Sequence, residues 1–246
     1  MTMRALASPM LSTVALLATA AMALCVGPVR ADGPPEATQR IRFQLSWTPP
    51  ADGKVSQSRM PNCDDAASRD TLYLTFQVQH AESTFIGVQG ELYVYAAPGD
   101  SLAEIWHMEK GGRNRGGAAV EFGPAESFPQ ALPWTGPGVG LASYDRTTAS
   151  GHLRFVYALP AGSPTSLEAG RTYAAARIIF SRTKPELRGC EVPVCIEWRR
   201  AKFLFSQIDT ADLQYGEGRW VARGPTSEVC ATRVPSWRPN KSGAQP

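Results

Sequence analysis

The chain has few of the residues on which common catalytic sites are built. Histidine occurs three times in 246 residues, at His80, His107 and His152, and the Gly-x-Ser-x-Gly nucleophile elbow is absent from the sequence. A nucleophilic triad needs a base, and histidine is the usual one. Because each histidine falls in or at the end of an apparent strand, we interpret all three as structural. We therefore predict no catalytic residue and no cofactor, and a binding protein rather than an enzyme.

The sequence also has few long apolar runs, and the one present lies at the N-terminus. It extends from Met10 to Val26, follows Arg4 and precedes Val29-Arg30-Ala31. The run is about 17 residues, shorter than the roughly 20 that a spanning helix needs. We predict a secretory signal peptide cleaved after Ala31. An uncleaved anchor is one alternative, and a lipoprotein modified at Cys25 is another. The prediction is a secreted or periplasmic protein with no membrane span after cleavage.

Neither sign of charge dominates. The chain has 25 Lys and Arg against 22 Asp and Glu, a net charge of +3. Loss of the first 31 residues removes Arg4 and Arg30 and no acid, which leaves 215 residues with a net charge of +1. Nucleic-acid binders usually carry a basic stripe. We therefore predict no nucleic-acid partner, and we expect an extracellular protein or a glycan instead.

Cysteine is scarce, but its number is even once Cys25 leaves with the signal peptide. Cys63, Cys190, Cys195 and Cys230 remain. In an oxidising compartment four cysteines predict two disulfides, and three pairings are possible. We favour Cys190–Cys195, which would close a short turn, and Cys63–Cys230, which would tie the beginning of the fold to its end. The spacing matches no common zinc motif, so we predict no metal site.

Alternating apolar and polar residues predict short β-strands along most of the chain. Residues 41–46 show this pattern clearly, residues 103–108 predict another strand, and Gly87 and Gly90 predict bulges or close backbone approaches. With turn signals between the strands, the pattern predicts an all-β, antiparallel, jelly-roll-like β-sandwich with long loops and two disulfides. The predicted core consists of Leu72, Leu74, Phe76, Val78, Ile86, Val88, Leu92, Val94, Ile178 and Phe180.

Four segments follow from these patterns. Residues 1–31 are the predicted signal peptide, and residues 32–70 the predicted leader, first strand and connection. Residues 71–230 are the predicted sandwich domain. Residues 231–246 are a polar tail.

Two stretches of the predicted sandwich resemble a known family. STFIGVQGELYVY lies within Thr71–Ile105, and LEAGRTYAAARIIF ends at Phe180. The first resembles the early strands of cohesin-like domains, and the second resembles a strand near their end. The resemblance covers residues 71–205. It departs from the family after Tyr95, where Ala96 follows in place of an aspartate. It implies a jelly-roll-like fold.

A long segment rich in proline and glycine, Pro124–Thr148, is the candidate ligand site. Loops of this length in compact domains are often functional. Within it, Trp134 and Tyr144 are the predicted ligand-binding residues, since an exposed indole or phenol offers a large contact area. The competing interpretation is that Trp134 folds back over the core and caps an apolar edge.

Three functions remain open on these observations. The first is an exported non-catalytic binding or adhesion-type module that recognises a protein or a glycan. The second is an exported hydrolase that uses carboxylates on a β scaffold. The third is a structural component of a cell-envelope assembly, reinforced by the predicted Cys63–Cys230 bridge.

We predict that the mature protein begins at Asp32, because the small residues at Val29 and Ala31 fit a signal-peptidase site. N-terminal sequencing of exported material measures this directly. A lipid-modified N-terminus at Cys25 would contradict the prediction.

Overall fold

The alternating strands build two facing β-sheets. The computed structural model describes residues 41–49, 55–123, 132–134, 137–160, 162–206, 210–213, 218–224 and 229–230. The predicted signal peptide and tail lie outside these residues, as do residues 124–131, 135 and 136 of the predicted ligand loop. The strands within the described residues are β1 (Ile41–Ser46), β2 (Ser58–Arg59), β3 (Arg69–Val78), β4 (Glu82–Tyr95), β5 (Ala118–Glu121), β6 (Val139–Arg146), β7 (Ser150–Ala158), β8 (Thr165–Leu167), β9 (Thr172–Ser181), β10 (Val194–Phe205), β11 (Thr210–Leu213) and β12 (Trp220–Arg223).

The smaller sheet has four strands in the order β1-β3-β9-β5, all antiparallel. The larger sheet has eight strands. Six follow the order β2-β12-β10-β4-β7-β6, while β11 pairs with β10 and β8 pairs with β4. Its pairs are antiparallel except the short parallel pair of β2 with β12. The all-β sandwich that the sequence predicts is confirmed, and β1 and β2 show that residues before 71 contribute strands to both sheets.

The core lies between the sheets and contains nine of the ten predicted residues. The exception is Ile86, which is only half-buried, whereas its neighbour Phe85 is fully buried. In the pairing of β4 with β10, Gly87 lies opposite Leu204 and Phe85 lies opposite Phe205. Ile86 is therefore an extra residue in β4. Such an insertion reverses the alternation, so the residues before it exchange faces.

Two local predictions need correction. Residues 103–108 do not form a strand, because Glu104–Trp106 is a 3-10 helix that buries Ile105 and Trp106. The second half of the predicted ligand loop is not irregular either, since it contains β6. That strand lies at the end of the larger sheet and is largely exposed. An exposed end strand needs no apolar alternation, which is why the pattern did not predict it.

Both predicted disulfide pairings are wrong. Cys63 is bonded to Cys190, and Cys195 is bonded to Cys230. The short ring does not form because its two cysteines pack in different apolar clusters. Cys190 packs with the main core, whereas Cys195 packs in a separate apolar cluster with Trp220. Nearness in sequence therefore did not bring the two sulfurs together.

A buried group of charges joins the two sheets beside the first disulfide. The two carboxylate oxygens of Asp70, in β3, accept hydrogen bonds from Nε of Arg59 and from Nε of Arg223, each at 2.6 Å. Arg223 also donates from Nη1 to the carbonyl oxygen of Cys190 at 2.8 Å. Because a buried carboxylate is tolerated when it is paired and hydrogen-bonded, this arrangement fixes β2 and β12 against β3.

We predict that mass spectrometry of a non-reduced digest joins Cys63 to Cys190 and Cys195 to Cys230. The first bridge spans 127 residues and the second spans 35. On the loop-entropy model, removing both cysteines of one bridge lowers the free energy of unfolding by about 5 and about 4 kcal/mol, respectively. Urea titration of the two double alanine variants measures this. A peptide that links Cys63 to Cys230 would contradict the pairing.

Candidate functional site on the outer face of the larger sheet

Five residues form one row across the face of the larger sheet that points away from the core. Trp220 lies opposite Glu197, Glu197 opposite Tyr93, Tyr93 opposite His152, and His152 opposite Asp145. Residues that face each other across a ladder project on the same side of the sheet. The row therefore crosses β12, β10, β4, β7 and β6 on one surface. We call this surface the outer face.

Aromatic rings on the outer face stack on one another. Tyr93 stacks on His152 with ring centroids 4.3 Å apart and on Tyr95 at 5.7 Å. Tyr95 in turn lies 6.3 Å from Trp220. These contacts use the faces of the rings. The ring edges and the polar atoms of Tyr93, Tyr95 and His152 can contact other groups. The Tyr93 hydroxyl has no hydrogen-bond partner within the described part of the chain.

One carboxylate of the row is buried beneath the stack. Glu197 is 5% exposed, accepts a hydrogen bond from the Tyr95 hydroxyl at 3.2 Å and lies 3.5 Å from the Arg219 guanidinium. Burial raises the pKa of Glu197. Burial, with a contribution from the Glu197 charge, also raises the pKa of Tyr95 to about 12. At neutral pH the phenol therefore stays protonated and donates to the carboxylate.

His152 lies between two further carboxylates. Its Nε2 is 3.8 Å from Glu91, and its Nδ1 is 3.8 Å from Asp145. Burial lowers the pKa of His152, and this effect outweighs the opposing influence of Asp145. The imidazole is thus neutral at pH 7. Its buried Nε2 has no hydrogen-bond partner among the residues that the structure describes.

Arginines surround these groups. Arg154 contacts Asp145 at 2.5 Å, Arg200 lies 4.0 Å from Glu91, and Arg219 contacts Glu197. Arg199 is exposed and lies over the Tyr93 ring, with its guanidinium carbon 5.1 Å from the ring centroid. The outer face therefore combines hydrogen-bond donors, acceptors and aromatic rings, which is the chemistry of polar ligand recognition.

The two predicted ligand-binding residues lie elsewhere. Trp134 is 6% exposed and packs against Tyr157 with ring centroids 4.2 Å apart. Its Nε1 donates a hydrogen bond to the carbonyl oxygen of Phe122 at 3.0 Å. Tyr144 points inward from β6 and donates its hydroxyl to the carbonyl oxygen of Trp106 at 2.8 Å. Burial raises the pKa of Tyr144. Both side chains have the contacts of packing residues, and the ligand site predicted for them stays a prediction.

A small cavity beside the Cys63–Cys190 disulfide is a weaker candidate. Its lining includes Asp70, Trp106 and Arg223, and its volume is about 20 Å³. That volume holds one or two water molecules and no larger ligand. Among the described residues, no group of three or more His, Cys, Asp or Glu side chains is placed to hold a metal ion.

Sequence reasoning missed the outer face because its residues come from five strands. The alternation did place Tyr93 and Tyr95 opposite the core residues of β4. It gave no sign that His152, Glu197 and Asp145 would lie beside them. Strand order decides those contacts, and strand order was not predictable from the periodicity.

Comparisons with known proteins do not assign the chain to a family. No protein-family model matches the chain, and no curated protein matches it. One solved structure with some similarity is described as "AvmM Catalyzes Macrocyclization in Alchivemycin A Biosynthesis". It is 12% identical, covers 77% of this chain and 92% of its own, and has a TM-score of 0.35. At that score the similarity supports no argument about function.

We predict that Trp134→Ala lowers the free energy of unfolding by about 3 kcal/mol, because it removes a buried ring and its hydrogen bond. Trp134→Phe is expected to cost about 1 to 2 kcal/mol, since it keeps part of the packing. Urea titration measures both. If Trp134→Ala keeps its full stability but loses affinity for ligand, the ligand site lies on the predicted loop.

Proposed function

We propose that this protein is an exported binding or adhesion-type module whose ligand contacts the outer face of the larger sheet. The observation that carries the proposal is the row from Trp220 to Asp145, in which rings are interleaved with ionisable groups. Trp220 and Glu197 are buried at one end of the row, whereas Tyr93, His152 and Asp145 at the other end are accessible to a ligand. Such a surface offers oriented polar contacts on a rigid sheet, so that little ordering is needed on binding. The two disulfides support an oxidising location, and the predicted signal peptide supports export.

Between the two ligand classes expected from the sequence, the outer face favours a glycan. Strand β4 is paired on both sides, with β10 and with β7. Its backbone therefore cannot pair with an added peptide strand, so a ligand at Tyr93 contacts side chains; the end strand of this sheet is β6. A sugar hydroxyl both donates and accepts hydrogen bonds. It can thus contact carboxylates and guanidinium groups that alternate over short distances, as Glu91, Arg154 and Asp145 do here.

A carboxylate hydrolase is the second candidate, and the raised pKa of Glu197 is the observation in its favour. A glycosidase needs one protonated and one ionised carboxyl group flanking the scissile bond. Glu197, however, is buried under Tyr95 and Arg219, so its contacts fit a residue that positions the tyrosine. If the protein releases reducing sugar from a bound polysaccharide, and Glu197→Gln abolishes this release, the hydrolase becomes the favoured function.

The third candidate is a structural component of a cell-envelope assembly, and the bridge named for it does not form. A Cys63–Cys230 bridge was expected to reinforce it. The bridges are instead Cys63–Cys190 and Cys195–Cys230.

We predict that the chain beginning at Asp32 binds glycans on an array, and that Tyr93→Ala weakens this binding about tenfold or more. The reason is that Tyr93 lies at the centre of the ring stack. A matched pair of milder changes locates the site. Tyr93→Phe removes an outer hydroxyl that has no partner among the described residues, and it is expected to weaken binding about fivefold.

Tyr144→Phe is the control, since it removes an inward hydroxyl bonded to Trp106 and should leave binding unchanged. Binding that is lost in Tyr144→Phe and kept in both Tyr93 variants would contradict the proposed site. Circular dichroism confirms that each variant is folded.

A further inference from the structure

We propose that the ligand of the outer face is an anionic glycan, one that carries carboxylate or sulfate groups, and that Arg199 and Arg200 bind its acidic groups. This inference rests on the proposed function and specifies the chemistry of its ligand. Three features of the outer face support it: a bulge in β10, the balance of charge around the bulge and the polar groups beside it.

The bulge places two consecutive arginines on one side of the sheet. Trp198 lies opposite Leu92, while Arg200 lies opposite Glu91, so Arg199 is an extra residue without a partner in β4. In a regular strand, consecutive side chains point to opposite faces. Here Arg199 lies over Tyr93 and Arg200 lies within 4.0 Å of Glu91, both on the outer face. Bulges commonly re-aim side chains next to functional sites.

The local charges leave one arginine outside the close ion pairs. Asp145 contacts Arg154, and Glu197 contacts Arg219. Glu91 lies 4.0 Å from Arg200, the longest of these ion pairs. Arg199 forms none of the ion pairs of the described residues, although the nearby Glu197 carboxylate acts on its charge.

The Arg199 guanidinium is also exposed, with five donors in a planar fork. The Tyr95 phenol and the Glu197 carboxylate lie near enough to raise the pKa of Arg199. The five N–H donors lie in the plane of the guanidinium, whose contact with the Tyr93 ring does not use them. Carboxylate and sulfate groups match the fork with two parallel hydrogen bonds.

The remaining groups suit the neutral parts of a sugar. The Tyr93 hydroxyl is unpartnered among the described residues, and it stands next to the arginine pair. The oxygens of Glu91 and Asp145 can accept hydrogen bonds from sugar hydroxyls. A densely acidic peptide offers no hydroxyls between its charges, so it would bring like charges against both carboxylates. Spaced acidic groups on a hydroxyl-rich chain fit this surface better than acidic groups alone.

Isothermal titration calorimetry with two matched pairs of polysaccharides tests the inference on the chain that begins at Asp32. One pair is dextran sulfate and dextran, and the other is polygalacturonate and its methyl ester. Poly-glutamate is the peptide probe. We expect both anionic polymers to bind at least tenfold more tightly than their neutral counterparts. We expect Arg199→Gln to weaken that binding about tenfold.

The control variant is Arg115→Gln, which removes an exposed arginine from a turn that precedes β5 in the smaller sheet. Its affinity should equal that of the unmodified chain. An equal loss in Arg199→Gln and Arg115→Gln would overturn the inference, because attraction would then be unspecific. Arg199→Lys should restore less than half of the lost free energy, since lysine keeps the charge but not the fork.

Three further results separate the inference from the proposed function. Equal binding of neutral and anionic polymers would overturn the anionic ligand and keep a glycan-binding module. Tighter binding of poly-glutamate than of either anionic polysaccharide would replace the glycan by an acidic peptide. Failure of all five polymers to bind, with no glycan retained on the array, would overturn both.

Discussion

The packing of Trp198 in β10 is the interaction on which the outer face depends. Its indole is fully buried, 4.9 Å from the ring of Phe43 and 6.2 Å from that of Phe155. A glycine at position 90 makes this possible, since a Cβ atom there would lie 2.2 Å from the Phe155 ring and 3.0 Å from Trp198 Nε1. Because a one-residue slip would bring Glu197 or Arg199 into the core, the indole fixes the register of the strand.

With that register set, the polar face follows from alternation and from one bulge. Glu197 and Arg199 flank Trp198 on the outer side, and the extra residue keeps Arg200 there as well. The same constraint orders the side chains of the outer face. Each side chain of the row is held by a neighbour across the ladder, as Tyr93 is by His152. Rigid elements position binding groups more accurately than loops do.

The sequence predicted what depends on neighbours along the chain and missed what depends on strand order. Residues 41–46 and 72–78 alternate regularly, and both segments form the predicted strands with the predicted buried faces. Ile86 was misplaced because an inserted residue shifts the phase of β4 without any change in composition. The disulfides were mispaired because Cys190 and Cys195 pack in different apolar clusters, which spacing cannot reveal. The row from Trp220 to Asp145 brings together five strands, so no single segment carried its signal.

A ligand on the outer face and a ligand on the loop that contains Trp134 would perturb different rings. An aromatic NMR spectrum of the labelled protein, recorded during a titration with short galacturonate oligomers, therefore distinguishes the two positions. We expect the ring resonances of Tyr93 and His152 to shift in proportion to saturation, while the indole N–H resonance of Trp134 does not move, because it stays bonded to Phe122. A shift confined to Trp134 and Tyr144, with Tyr93 and His152 unchanged, would contradict binding at the outer face.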